Sequence, residues 1–144
     1  MIQLATVKRG LNKGITTLWV LTKVMVPVYL AVTILGQTPV MEWLAWIAKP
    51  IMGLLGLPGE TATALVLGKV LNLYAAIGAM GALHLNARET TVLALVLLIS
   101  HNLLVETAVS KKTGIKVTSL VLVRIVGGFL SGMLLNWGWQ KWLP

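Results

Sequence analysis

The chain has 144 residues, 57% apolar and only 11% charged, with a mean hydropathy of +0.87, whereas soluble domains carry roughly 45–50% apolar and about 25% charged residues. That leaves room for one domain, residues 1–144, with three to five membrane segments at about 20 residues each. The absence of cysteine excludes disulfides, thiolate nucleophiles and thiolate metal sites. The net charge of +8 would suggest nucleic acid in a soluble protein; here it reads as the cytoplasmic loop charge of a membrane protein, with no nucleic-acid partner.

Residues 1–14 form a polar, basic N-terminus with Lys8, Arg9 and Lys13. Residues 15–36 follow as the first span. It contains Lys23 and Pro27 and has no small-residue cleavage site, so a retained helix is expected rather than a cleaved signal peptide. Gly36-Gln37-Thr38-Pro39 ends it with turn chemistry.

Residues 40–85 read as a helical hairpin broken at 56–60, the stretch Gly56-Leu57-Pro58-Gly59-Glu60. Its first arm carries about 13–15 helical residues, about 20 Å at 1.5 Å per residue, too short for a ~30 Å hydrocarbon core. The helix from Glu60 to Leu85 is long enough to span. Broken helices survive at membrane depth only where protein or a water-filled cavity covers them. A Pro-Gly turn with a carboxylate there points to a binding site. Glu60 would complement the free N–H groups that open the next helix. The competing reading of Glu60 is a plain cap in an interfacial loop.

Asn86-Ala87-Arg88-Glu89 is a polar loop. Residues 90–110 form a polar span, whole or broken, holding His101, Asn102 and Glu106. Lys111 to Lys116 is a basic turn, residues 117–136 are the last span, and residues 137–144 are a tail with Trp137, Trp139 and Trp142. The fold class is therefore an all-α integral membrane protein, with about three full transmembrane helices plus the hairpin.

If residues 40–85 enter and leave on one side, then Lys8, Arg9, Lys13, Lys111, Lys112 and Lys116 share a face, while Arg88 and Lys141 lie opposite. The positive-inside rule then puts the N-terminus in the cytoplasm and the C-terminus outside, in the cell (inner) membrane. Charge alone does not separate a re-entrant hairpin from two crossings; the short first arm favours re-entry.

His101-Asn102 lies about 11 residues into its span, ~16 Å deep at 1.5 Å per residue. An imidazole and an amide at that depth demand a cavity or a partner. Either they bind a solute or they make an interhelical hydrogen bond that only holds the fold. Glu106 shares a face with Asn102 and is expected to pair with Arg124 or Lys23. Lys69 has no obvious partner. Gly128-x-x-x-Gly132 is a small-residue face for a helix of the same chain or of another. No nucleophile motif, phosphate loop or zinc spacing is present, so no enzyme activity, cofactor or metal site is expected. His101, Glu106 and Glu60 are suitable ligand types for a divalent ion but lack a ligand spacing.

Two stretches resemble the nucleoside-recognition, or gate, domain. One is Gly56-Leu57-Pro58-Gly59-Glu60 followed by Tyr74-Ala75-Ala76-Ile77; the other is Ser100-His101-Asn102-Leu103-Leu104-Val105-Glu106 with a basic turn containing Gly114 after it. That domain is found in spore maturation proteins A and B, in the membrane part of ferrous-iron transporter B and, in distant form, in concentrative nucleoside transporters. The resemblance runs from about Trp43 to Gly128. It implies a re-entrant hairpin whose tip, mapped onto Gly56 to Glu60, faces a broken helix, mapped onto Ser100 to Glu106. Pro58, Gly59, Glu60, His101, Asn102 and Glu106 are thus the expected solute-binding residues. With one copy of the gate motif, the chain is expected to meet a second copy of itself or a second gate-family protein. The expected function is a small transport subunit for a polar, nucleoside-like solute. The alternatives are an assembly protein with no solute of its own, or divalent-metal permeation.

Overall fold

The computed structural model describes residues 4–112 and 116–142, and the side chains of all of these except Leu4 and Lys112. Residues 113–115 of the basic turn and the chain ends therefore lie outside the described residues. The elements are α1 (Leu4–Leu35), α2 (Pro39–Leu54), a 3-10 turn (Gly59–Thr61), α3 (Ala62–Val70), α4 (Leu73–Ala82), α5 (Ala87–Ser100), α6 (Leu103–Lys112) and α7 (Val117–Trp142). Among the described residues there is no strand, and the all-α membrane architecture expected from composition is the one observed.

Three stretches are long and apolar enough to cross a bilayer: Ala5–Leu35, Ala87–Lys111 and Val117–Trp142. The second is α5 and α6 taken together across a break at His101-Asn102. α1 has 32 residues, which is about 48 Å of helix and exceeds the ~30 Å core. Its exposed, basic first turns with Lys8, Arg9 and Lys13 therefore project beyond the apolar stretch. Pro39 opens α2 at its first turn, where a missing N–H costs nothing.

The segment from Pro39 to Leu85 departs from the sequence reading in one respect. α2 and the helix after Gly59 meet at 94°, so a break does lie at 56–60. The following run from Glu60 to Leu85, read as one spanning helix, is two short helices. Leu71 N–H still bonds to Leu67 O and closes α3. Asn72 then adopts an extended backbone, and its Oδ1 accepts the Ala75 N–H at 2.9 Å, opening α4. An asparagine cap is strongly favoured at a helix start, and here it restarts the chain in a new direction. α3 and α4 fold back on each other. A Cβ on Gly68 would lie 2.9 Å from Ala76 Cβ, whereas eight residues of straight helix would separate them by about 12 Å. The reversing hairpin is thus α3–α4, with its tip at Leu71-Asn72.

Small residues explain the remaining packing. α4 lies on α1 through Gly78, whose Cβ would come within 2.7 Å of Met25 O, and through Gly81 on the Tyr29 ring. The last span packs on α5 in the same way. Gly128 abuts Ser100 and Val96, and Gly132 abuts Val96 and Leu55. Of the two readings of the Gly128-x-x-x-Gly132 face, packing within the chain is the one observed: α5 and Leu55 occupy it. Leu55, Val92, Leu93, Val96 and Leu97 are fully buried at this interface.

Candidate functional site

The tip of the α3–α4 hairpin meets the break between α5 and α6. Asn102 has φ +53°, a left-handed conformation that asparagine tolerates better than most residues. This turns its N–H out of the α5 ladder and onto Gly68 O at 3.0 Å, in the last turn of α3. Its own carbonyl accepts the Glu106 N–H at 3.0 Å, opening α6. Lys69 Nζ donates to Ser100 Oγ at 2.6 Å, and Ser100 Oγ donates to Val96 O at 2.7 Å. The Lys69 ammonium also lies 5.6 Å from the Phe129 ring centroid.

A broken helix leaves carbonyls free at one end and N–H groups free at the other. Arg124 on α7 addresses both ends. Its Nε donates to Ile99 O at 2.7 Å, in the last turn of α5, and its guanidinium forms the expected ion pair with Glu106 in the first turn of α6. A cation at a helix C-terminus and a carboxylate at an N-terminus each complement the helix dipole. Lys23, the other candidate partner of Glu106, lies instead over the Trp19 ring. His101 Nδ1 lies 3.2 Å from both Leu97 O and Leu98 O. Both partners are carbonyls, so Nδ1 carries the proton and donates, and Nε2 has no partner among the described residues. One group at the junction has no partner among the described residues: Asn102 Oδ1, which is buried.

The other predicted residues lie elsewhere. Pro58, Gly59 and Glu60 form the corner between α2 and α3. Gly59 packs so closely on the Ala45 backbone that a Cβ would collide with Ala45 O. Thr61 Oγ1 donates to Pro58 O at 2.5 Å and tightens the turn. Glu60 lines a cavity of about 230 Å³ with Thr33, Gln37, Met41 and His84, between the ends of α1 and α4. Glu60 and Asn102 contact opposite ends of α3, whose nine residues make about 14 Å of helix. The structure therefore brings His101, Asn102 and Glu106 together and holds Glu60 apart from them. Among the described residues no three His, Asp or Glu side chains are grouped as metal ligands would be.

Sequence reasoning missed Ser100 as the partner of Lys69, Asn72 as the hairpin tip, and a clamp built on Arg88. The Arg88 guanidinium bonds to Asn136 Oδ1 and, at 3.0 Å, to Gly56 O. It ties the corner, where Gly56 has φ +65°, to α7. The available signal for Asn72 was an N-cap residue inside an apolar run.

A family model described as nucleoside recognition, the gate domain, matches residues 18–116. The chain belongs to the gate family. The chain is also similar to the uncharacterized membrane protein YvoD of Bacillus subtilis (strain 168), 45% identical over 131 residues. The aligned stretch is 91% of this chain but 42% of YvoD, so the chain spans less than half the length of that relative. No solved structure matches. Gate-family membership and the apolar helices together make this a membrane protein.

Proposed function

We propose that the chain is a transport subunit of the inner (cytoplasmic) membrane that binds a polar small solute, of nucleoside-like size and polarity, at the junction of the α3–α4 tip with the α5–α6 break. The observation that carries this reading is the buried, unpartnered Asn102 Oδ1. Nearly all buried polar atoms have a hydrogen-bond partner, so an orphan acceptor beside two broken helices is suited to a ligand's donor. His101 contributes Nε2, and Glu106, held by Arg124, fixes the α6 end of the site. The cavity at Glu60, flanked by Pro58 and Gly59, serves as a polar vestibule.

The geometry fits an N-terminus in the cytoplasm. α1 then exits outside, α3 descends from the outer face, and α4 returns to it. α5 and α6 cross to the basic turn, and α7 brings the C-terminus back out. α3 and α4 have nine and ten residues, so each reaches about 15 Å, half of a ~30 Å core, which puts their tip near the midplane. α2, at 94° to α3, then runs along the outer interface with exposed Trp43 and Trp46, as interfacial tryptophans do. Transporters of this kind place their sites between two repeats. A second gate-family chain, or a second copy of this one, would supply the other half here.

The test is uptake of tritiated uridine and adenosine by proteoliposomes. Asn102→Gly, which adopts the left-handed backbone of this position without strain, is expected to abolish uptake while the thermal midpoint holds. Glu60→Gln is expected to slow entry without removing binding. Single-cysteine variants check the orientation, since the chain has no native cysteine. An impermeant thiol reagent added outside should modify Ala87→Cys and spare Lys111→Cys.

A second reading has an observation of its own. Lys69 with Ser100 and Arg124 with Glu106 satisfy each other within the chain. An assembly protein that uses these pairs only to lock its helices would show no uptake in any form, and each polar variant would lower stability.

A further inference from the structure

Two helices end at the cavity of about 230 Å³ beside Glu60. Thr33 and Gln37 reach it from the end of α1, Ala82 and His84 from the end of α4, and Glu60 from the corner before α3. A helix carries about half a negative charge at its C-terminus and about half a positive one at its N-terminus. Two negative ends and the Glu60 carboxylate outweigh the positive start of α3, which leaves the cavity negative by about one and a half charges. No lysine or arginine lines it. Among the described residues the side chains of Glu60, Gln37 and His84 have no hydrogen bond or ion pair. Thr33 Oγ1 donates its hydrogen to Tyr29 O at 2.9 Å and keeps its lone pairs. The lining therefore offers a carboxylate, an amide oxygen, a hydroxyl oxygen and an imidazole nitrogen as acceptors. A negative field with no counter-charge inside the chain favours a cation. In the orientation proposed above the cavity lies at the outer interface, so a cation reaches it from water without crossing hydrocarbon.

The lining also limits the kind of cation. Among the described residues no three His, Asp or Glu side chains are grouped as metal ligands, and the cavity holds the volume of about seven or eight waters at ~30 Å³ each, far more than a directly coordinated ion fills. Quaternary ammonium groups are recognised by aromatic cages, and no Trp, Tyr or Phe lines this cavity. A primary ammonium has three N–H donors, which match a wall of acceptors. We infer that the cavity binds a primary-ammonium group, with Glu60 as its counter-charge and Gln37, Thr33 and His84 accepting its N–H donors. Such a group reaches the outer face from two sources, a free amine in water or the ethanolamine headgroup of a lipid. The inference goes beyond the transport reading: a vestibule needs only wet, polar walls, whereas this site selects both charge and N–H donors.

The test uses Ala82→Cys in phosphatidylcholine nanodiscs. The chain has no native cysteine, and this change puts one thiol on the cavity wall while leaving the four acceptors in place. Ethanolamine at roughly ten times a millimolar Kd should slow modification by uncharged N-ethylmaleimide about five- to tenfold, because an occupied cavity shields the thiol. Tetramethylammonium has the charge without N–H donors, and ethylene glycol has donors without the charge. Each should leave the rate within about twofold. Ala87→Cys, outside the cavity, should respond to none of them. Adding Glu60→Gln to Ala82→Cys should remove the protection, and Glu60→Asp should keep part of it. Equal slowing by ethanolamine and tetramethylammonium overturns the inference without any change at Glu60, and so does protection that survives Glu60→Gln. Exchanging half of the phosphatidylcholine for phosphatidylethanolamine separates the sources. A thiol protected before any amine is added assigns the headgroup, and an unprotected one assigns the free amine. Uridine uptake enters none of these readouts, so failure here leaves the transport reading standing.

Discussion

At the corner between α2 and α3 the chain turns on Gly56, with φ +65°, and on Pro58-Gly59. At the junction between the α3–α4 tip and the α5–α6 break it turns twice on Leu71-Asn72 and His101-Asn102, with neither proline nor glycine. The corner is local chemistry: residues that cannot continue a helix stop it, and one arginine fastens the result to α7. The junction is tertiary. The α5–α6 break is held by groups from other elements, Gly68 O for Asn102 and Arg124 for Ile99 and Glu106, and the same Asn102 N–H bond ties it to the α3–α4 tip. A break made locally is expected to survive loss of its fastening, whereas one made by partners should fail when a partner is removed.

The sharpest way to break that contrast is to remove one partner of the Arg124–Glu106 pair. Arg124→Gln leaves the Glu106 carboxylate without a counter-charge among apolar helices, at a cost of about 3–5 kcal/mol. Glu106→Gln should cost less, since Arg124 keeps Ile99 O. The double variant should be milder than the sum of the two, by more than the ~0.5 kcal/mol scatter of independent sites. Unfolding in mixed micelles measures all three, and strict additivity would show that the pair does not staple the break. At the corner, Arg88→Ala removes bonds to Gly56 O and Asn136, and hydrogen bonds from charged groups are worth about 1.5–3 kcal/mol. The corner itself should persist. Cysteine pairs placed across α2 and α3 should crosslink as well in Arg88→Ala as in the wild type.

The same contrast explains how much was legible in the sequence. Apolar runs with few charges gave the spans, because a bilayer demands length and apolarity and little else. Pro58-Gly59 gave the corner, and the gate-domain resemblance of the Ser100 to Glu106 stretch gave the second break. The Glu106–Arg124 pair was legible because few carboxylates lie inside the apolar runs and charges there need partners. The hairpin tip was not legible. Leu71-Asn72 sits in a run that helix propensity would continue, and only the return of α4 onto Gly68 through Ala76 makes a reversal stable there. For the same reason Glu60, next to the visible turn, was grouped with His101 and Asn102, although α3 separates them. Ser100 escaped notice because serine is common inside membrane helices, where its hydroxyl bonds to a carbonyl of its own helix, as it does here to Val96 O.

Asn72 tests whether its side chain or its surroundings make the tip. Replacing an asparagine cap with alanine costs about 1 kcal/mol. Asn72→Ala should fall near that value, and Asn72→Ser should recover most of it, since serine caps nearly as well. A much larger loss for both would mean that the amide has a further role at the tip.

Asn102→Gly should have the smallest effect on stability and be the most telling of the set. The position needs φ +53°, which glycine adopts without strain. The substitution keeps the N–H that bonds to Gly68 O and the carbonyl that accepts from Glu106. It removes an acceptor buried without a partner, relieving a desolvation penalty of about 1–3 kcal/mol. Against that stands the added freedom of glycine in the unfolded chain, about 0.4–1 kcal/mol. The balance is close to zero or slightly stabilising. A residue whose loss leaves the fold intact, beside the paired Lys69–Ser100 and Arg124–Glu106 side chains, is held there by something other than stability. If the solute reading is right, Asn102→Gly should abolish uridine and adenosine uptake at an unchanged or raised unfolding midpoint. A clear loss of stability would instead mean that Oδ1 finds a partner in the folded membrane protein, and the case for a ligand at this atom would fall.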